Sequence, residues 1–201
     1  MNHSLKRFVV AMSGASGAPY ALCLIEELLK QEHEVHLLVT EAGWRVLKEE
    51  HQWPIEKREH IFFERFGHLP GKLVYHPIKD IGASIASGSF WCDAMIVIPC
   101  TMGTLAKIAH GISSNLLERT ADVMLKERRP LILVPRETPL STIHLKNMLT
   151  LSKVGAMILP AMPAFYTTPT QIEDMVRFIT GKVLDMLRVK HQLYQPWEGG
   201  R

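Results

Sequence analysis

Three stretches combine glycines, hydroxyls and a following helix signal in a way that suits an anionic ligand. The first reads Ser13-Gly14-Ala15-Ser16-Gly17-Ala18-Pro19. Its two glycines let the backbone approach a ligand closely, and Pro19 suits a helical first turn. N–H groups at such a helix start attract phosphate. Two readings stand: a nucleotide-phosphate cradle with Ser16 presenting a hydroxyl, or a tight strand-to-helix turn with no ligand. The spacing is not G-x-G-x-x-G and there is no G-x-x-x-x-G-K-[ST], so neither NAD binding nor a P-loop NTPase is specified. Glu41 stands where a ribose-binding acid would sit, and also where a helix-start acid is favoured by the macrodipole. The second stretch, Pro99-Cys100-Thr101-Met102-Gly103-Thr104-Leu105, is either a further anion nest or ordinary N-capping by Thr101 or Thr104. Cys100 reads as a small buried hydrophobe rather than a nucleophile. The third, Ser87-Gly88-Ser89-Phe90-Trp91, offers hydroxyls to a ligand or simply turns the chain.

The cationic candidates are Arg119, Lys126, Arg128, Arg129 and Arg136. Lys126–Arg129 ends a helical pattern, where basic residues are favourable in any case, and Arg128 and Arg129 read as solvated. Arg136-Glu137 follows an apolar run directly, which puts a phosphate-binding fork and a possible acid or base on a strand end. Pro160–Tyr166 is stiff, apolar and aromatic: a pocket wall with a phenol at its edge, or a core plug. The ten histidines are dispersed, with no H-E-x-x-H or Cys-x-x-Cys pattern, so no metal is expected.

The elements that position these residues follow from periodicity. Phe8–Met12, Val35–Val39, Ala94–Ile98, Leu131–Val134 and Met157–Leu159 are short apolar runs, with a further strand possible at Leu73–Tyr75. Between them lie helical patterns at Pro19–Gln31, Glu41–Glu50, Leu105–Ala109, Leu116–Lys126, Ser141–Lys153 and Thr170–Leu187. Residues 51–80 are otherwise irregular. The face of Ser141–Lys153 carries Leu145, Met148, Leu149 and Ser152. That of Thr170–Leu187 carries Ile172, Met175, Val176, Ile179, Val183 and Met186. Alternation predicts an α/β fold: a parallel sheet covered by helices on both faces, with ligands at the carboxyl ends of the strands. Loops 13–19, 40–43, 99–104 and 135–139 should therefore share one rim.

The 201 residues fit one domain, with a core of about 6–188 and a tail of 189–201, in which Trp197 is available to dock on another surface. A net charge of +3 argues against a nucleic-acid partner. The absence of a long apolar run argues against a membrane, and three cysteines suit a reducing cytoplasm.

Taken together, Gly14–Gly17, Ser87–Ser89, Pro99–Leu105, Asn115–Val123, Leu125–Leu131, Pro135–Pro139, His144–Met148 and Pro163–Tyr166 resemble the flavin prenyltransferase (UbiX-like) family from about Phe8 to Leu187. The resemblance implies a Rossmann-like (flavodoxin-like) fold and a homododecamer. It implies reduced FMN and dimethylallyl monophosphate as reactants, and prenylated FMN as product for a partner decarboxylase of the ubiquinone-biosynthesis or aromatic-acid type. FMN contacts are implied at Gly14, Ala15, Ser16, Thr40, Thr101, Met102, Gly103, Thr104 and Arg136. Prenyl-phosphate contacts are implied at Tyr166 and Lys182, with Ser89, Arg119, Lys126 and Glu137 nearby. Glu50 is implied to reach a site from a neighbouring subunit. Position 182 is Lys where some relatives have Arg, and position 81 is Ile where a relative has a pocket-wall Trp.

The chemistry is coherent without a metal. Lys and Arg donors in a dry site stabilise a departing phosphate, and aromatic faces stabilise an allylic cation. In this reading Ser16 bonds the flavin's reacting nitrogen edge, Arg119 and Lys126 hold the phosphate, and Glu137 passes a proton. Two alternatives remain at this point: an FMN-dependent decarboxylase of the cysteine-decarboxylase superfamily, and a non-catalytic flavin carrier. The first lacks its Asn-centred loop here, and the second needs no phosphate clamp.

Overall fold

Apolar runs flanked by amphipathic segments become six strands and seven helices. The computed structural model describes residues 5–197 and 199. The chain runs β1 (Arg7–Met12), α1 (Ala18–Lys30), β2 (Glu34–Val39), α2 (Glu41–His51), α3 (Arg58–Phe66), β3 (Lys72–His76), β4 (Ala94–Cys100), α4 (Met102–Ala109), α5 (Leu116–Lys126), β5 (Leu131–Pro135), α6 (Thr142–Lys153), β6 (Met157–Ile158) and α7 (Ile172–Met186). Every strand pairing is parallel, in the order β3-β2-β1-β4-β5-β6. The direction of winding reverses between β1 and β4, so the loops leaving these two strands diverge and open a crevice at their carboxyl ends.

Both faces of the sheet are dry, which is why its strands read as continuous apolar runs. On one face Val10, Leu37 and Ile96 pack under α1 residues Ile25 and Leu28 and under Val183 and Leu184 of α7. On the other, Val9, Ala11, Val97 and Leu133 pack under Leu105, Leu116, Leu117 and Ala121. Each fully buried Val, Leu or Ile among these contributes about 1.5–3 kcal/mol. No helix among the described residues is long and apolar enough to cross a membrane.

The fold departs from periodicity in four places. Helix α3 lies within the segment expected to be irregular. Phe62 and Phe66 are its buried side chains among those described, and they complete an aromatic cluster with Trp44, Trp53 and Tyr75. In α6 the expected inner face is largely outer: Leu145 and Leu149 are exposed while Asn147 and Leu151 are buried. In α7 Ile172 and Met186 are exposed, and Phe178, Ile179, Thr180 and Gly181 pack inward. Gly181 is needed for close approach: a Cβ there would lie 2.6 Å from the Tyr194 ring. Finally, Trp197 docks on its own chain, edge-on to Tyr166 with ring centroids 5.5 Å apart.

Candidate active site

The crevice is tied shut at its base by Ser13, a buried residue whose role was not legible in the loop sequence. Its hydroxyl donates to the Pro99 carbonyl at 2.9 Å and accepts from the Thr101 N–H at 2.7 Å. β1 and β4 therefore end in a fixed relation. Thr101 then caps α4: its Oγ1 accepts from the Thr104 N–H at 3.1 Å and donates to the Thr104 hydroxyl at 2.9 Å. The N–H groups of Met102 and Gly103, first in the helix, are left for an external acceptor.

Thr40 does the same for α2, its Oγ1 accepting from the Gly43 N–H at 3.0 Å. Gly14 lies against this turn so closely that a Cβ would strike the Ala42 side chain. Its glycine therefore reflects packing of the cradle wall. Ser16 is exposed and its hydroxyl makes no hydrogen bond among the described residues. Across the crevice, Arg136 donates from Nε to the Ser16 carbonyl at 3.2 Å. Thus Gly14, Ala15, Ser16, Thr40, Thr101, Met102, Gly103, Thr104 and Arg136 line one rim.

Helix α1 begins at Gly17, whose left-handed backbone (φ 119°) provides no side-chain cap. Glu50 from α2 supplies one, its carboxylate accepting from the Gly17 and Ala18 N–H groups. Within its own chain Glu50 thus closes the first helix, because α2 packs beside α1.

Glu137 is exposed beside Arg136 and accepts from the Thr138 N–H at 3.1 Å. With Leu140, Met148, Pro160 and Met162 these two line a cavity of about 250 Å³. Tyr166 lies in the loop before α7, its ring 5.9 Å from that of Phe178. Lys182 is one turn further along α7, paired with Asp185 at 3.5 Å and 5.7 Å from the Tyr194 ring. Its pKa is raised, chiefly by the Tyr194 hydroxyl.

The other three phosphate candidates come from the Ser87–Ser89 loop and from α5. Ser89 lies in the loop feeding the start of β4, and Lys126 lies at the end of α5, just before β5. Both belong to the amino-end rim: the same loop receives Arg7 of β1, whose Nη1 donates to the Trp91 carbonyl. Lys126 pairs with Glu127, and a Cβ on Gly88 would lie 3.0 Å from its Nζ. Arg119 sits early in α5, its Nη1 2.9 Å from Asp122. A parallel strand separates its two ends by its own length, so within this chain Ser89 and Lys126 stand away from the crevice.

Arg129, expected to be solvated, is instead part-buried, its guanidinium donating to the Gly88 and Phe90 carbonyls. Cys100 is fully buried, which pushes its thiol up to about 12 and removes it as a nucleophile. No group of three metal-ligating side chains occurs among the described residues.

The donor set fits a flavin mononucleotide: open helix-start N–H groups and Arg136 suit its phosphate, and a free Ser16 hydroxyl suits its ring edge. A doubly wound sheet with such a crevice defines a nucleotide-cradling α/β protein. The flavoprotein family profile matches residues 1–184. The chain is 55% identical over 192 residues to the flavin prenyltransferase UbiX of Alkalihalophilus pseudofirmus, covering 96% of each chain. It superposes with TM-score 0.89 on the crystal structure of AnUbiX (PadA1) in complex with FMN and dimethylallyl pyrophosphate, at 39% identity, covering 98% of this chain and 100% of that one. A dodecameric FMN-dependent UbiX-like decarboxylase from Escherichia coli O157:H7 matches with TM-score 0.86 and 39% identity, over 96% and 100%. The chain belongs to the flavoprotein family and, within it, to the UbiX flavin prenyltransferases.

Proposed function

We propose that this protein is a flavin prenyltransferase that joins the dimethylallyl group of dimethylallyl monophosphate to reduced FMN. The product, prenylated FMN, serves a partner decarboxylase of the ubiquinone-biosynthesis or aromatic-acid type. The single observation that carries the reading is the rim on which Ser16, Thr101 and Arg136 converge, in a chain 55% identical to a flavin prenyltransferase.

Reduced FMN supplies the nucleophile. The chain's residues do the rest. Thr40 and the Thr101–Thr104 turn hold the crevice open to the flavin, and Arg136 neutralises its phosphate. Ser16 orients the flavin's nitrogen edge. As the allylic carbon–oxygen bond breaks, the electron pair leaves with the phosphate, and cationic side chains stabilise that charge. Glu137 holds the proton exchanged with the phosphate, and Tyr166 walls the five-carbon unit.

Because Ser89 and Lys126 lie on the opposite rim, they act in the site of a neighbouring copy, with Arg119 of the same helix. Lys182, with Tyr166, closes the phosphate end. That division of labour calls for a homo-oligomer, and the dodecameric Escherichia coli relative supports a dodecamer. The exposed apolar residues Ile143, Leu145 and Leu149 of α6, with Val154 just after it, support such burial. Three free cysteines support a cytoplasmic setting. The chain acts as one domain with a core of about 6–188 and a tail of 189–201.

The test is anaerobic incubation with reduced FMN and either dimethylallyl monophosphate or pyrophosphate, followed by mass spectrometry of the extracted flavin. Addition of one five-carbon unit is expected. Unaltered flavin with both donors would support a carrier, and carbon dioxide release from a 4-hydroxybenzoate-type acid without a partner enzyme would support a decarboxylase.

A further inference from the structure

Ser89 and Lys126 belong to different elements, yet both must be presented together if they are to grip one phosphate. We propose that Arg129 is a positioning residue for this arm, fixing Ser89 against the end of α5; the inference rests on the function proposed above.

The guanidinium donates from Nη2 to the Gly88 carbonyl and from Nη1 to the Phe90 carbonyl, both at 2.6 Å. These two carbonyls flank Ser89, so the residue is held from both sides. The cation also lies 4.9 Å from the Trp91 ring centroid. Its own backbone is anchored: the Arg129 N–H donates to the Met124 carbonyl at 2.8 Å, after Arg128 turns the chain through a left-handed φ of 53°. Arg129 therefore ties the last turn of α5, which carries Lys126, to the loop that carries Ser89. Within the loop the Ser87 and Ser89 hydroxyls lie 2.8 Å apart, and the Ser89 N–H donates to Ser87 Oγ. On the far side, the Phe90 ring rests edge-on against His36 at 4.9 Å and beneath Arg7 at 4.8 Å.

Two carbonyls held by one planar group is a geometry particular to arginine. Lysine keeps the charge and offers one compact ammonium, which cannot span both acceptors at these lengths. Arg129 needs no contact with the reactants. It acts through Ser89.

The experiment compares wild type, Arg129→Lys, Ser89→Ala and the double variant as full-length oligomers. It measures prenylation kinetics, calorimetric binding of dimethylallyl monophosphate, and FMN affinity. Arg129→Lys is expected to raise KM and Kd for the prenyl phosphate about tenfold, with FMN affinity and assembly unchanged. In the Ser89→Ala background the same substitution should add little, because the residue being positioned has lost its hydroxyl. Unchanged KM and Kd, a fully additive double variant, or parallel loss of FMN binding would overturn the proposal. If Arg129→Lys fails to assemble, Arg129→Gln, whose amide still reaches one carbonyl, carries the same comparison. A wild type that forms no prenyl adduct sinks the assigned function itself. A wild type that turns over alongside an indistinguishable Arg129→Lys sinks only the role of Arg129.

Discussion

Glu50 accepts the Gly17 N–H with both carboxylate oxygens, at 3.0 and 3.2 Å, and the Ala18 N–H at 2.9 Å. A helix with no cap of its own thus borrows one from the next helix, and a negative charge meets the positive end of α1. Glu50→Ala should lower stability by about 1 kcal/mol, read as a lower urea midpoint. Glu50→Gln, which keeps an acceptor oxygen, should fall between the two. An unchanged midpoint in the alanine variant would contradict the cap.

Removing the Ser13 hydroxyl leaves the Thr101 N–H without its acceptor in a buried setting. Ser13→Ala should cost about 1–3 kcal/mol. Because Thr101 starts the turn that faces the flavin, FMN affinity should drop as well. Thermal unfolding with and without FMN measures both, and a variant that unfolds like wild type in both conditions would show the tie to be dispensable.

Arg136 faces the crevice from β5 and holds the Ser16 carbonyl. Arg136→Lys keeps the charge and loses the fork, so FMN should bind about tenfold more weakly, and Arg136→Ala more weakly still. Flavin fluorescence titration reads this directly. Equal affinity for all three proteins would place the flavin phosphate elsewhere.

His36 is buried on β2, with its Nδ1 2.8 Å from His76 Nε2 and its Nε2 3.2 Å from Glu34. Burial, aided by neighbouring His76, lowers its pKa from 6.5 to about 4. In the unfolded chain the imidazole takes up its proton near 6.5, while the folded protein resists until about 4. The unfolded state binds more protons in that window, so stability should fall as pH drops from about 6.5 to about 4. A melting temperature flat over this range in wild type, or equally sloped in His36→Phe, would refute the assignment.

What the linear order of residues settled is what short-range physics settles. The apolar runs at 8–12 and 94–98 announced buried parallel strands, and the Gly-Ala-Ser-Gly and Thr-Met-Gly-Thr turns announced their loops. Once strands alternate with helices, all loops leaving strands share one rim, and Ser16, Thr101 and Arg136 did meet there. The Phe62 and Phe66 pair was too sparse a stripe to signal α3, because the partners that bury it, Trp44, Trp53 and Tyr75, come from elsewhere in the chain.

Other features were decided only in three dimensions. Helical spacing shows that Leu145 and Leu149 share a face but not whether that face meets the sheet, and here it meets solvent. The ties Ser13–Thr101, Glu50–Gly17 and Arg129–Gly88 join residues between 33 and 88 positions apart. No local pattern records such pairings, since each depends on where two strands or helices come to rest. The same holds for the separation of Ser89 and Lys126 from the flavin crevice. The residue types are those that can hold a phosphate, and the direction of the parallel strands places Ser89 and Lys126 at the end of the sheet away from the crevice.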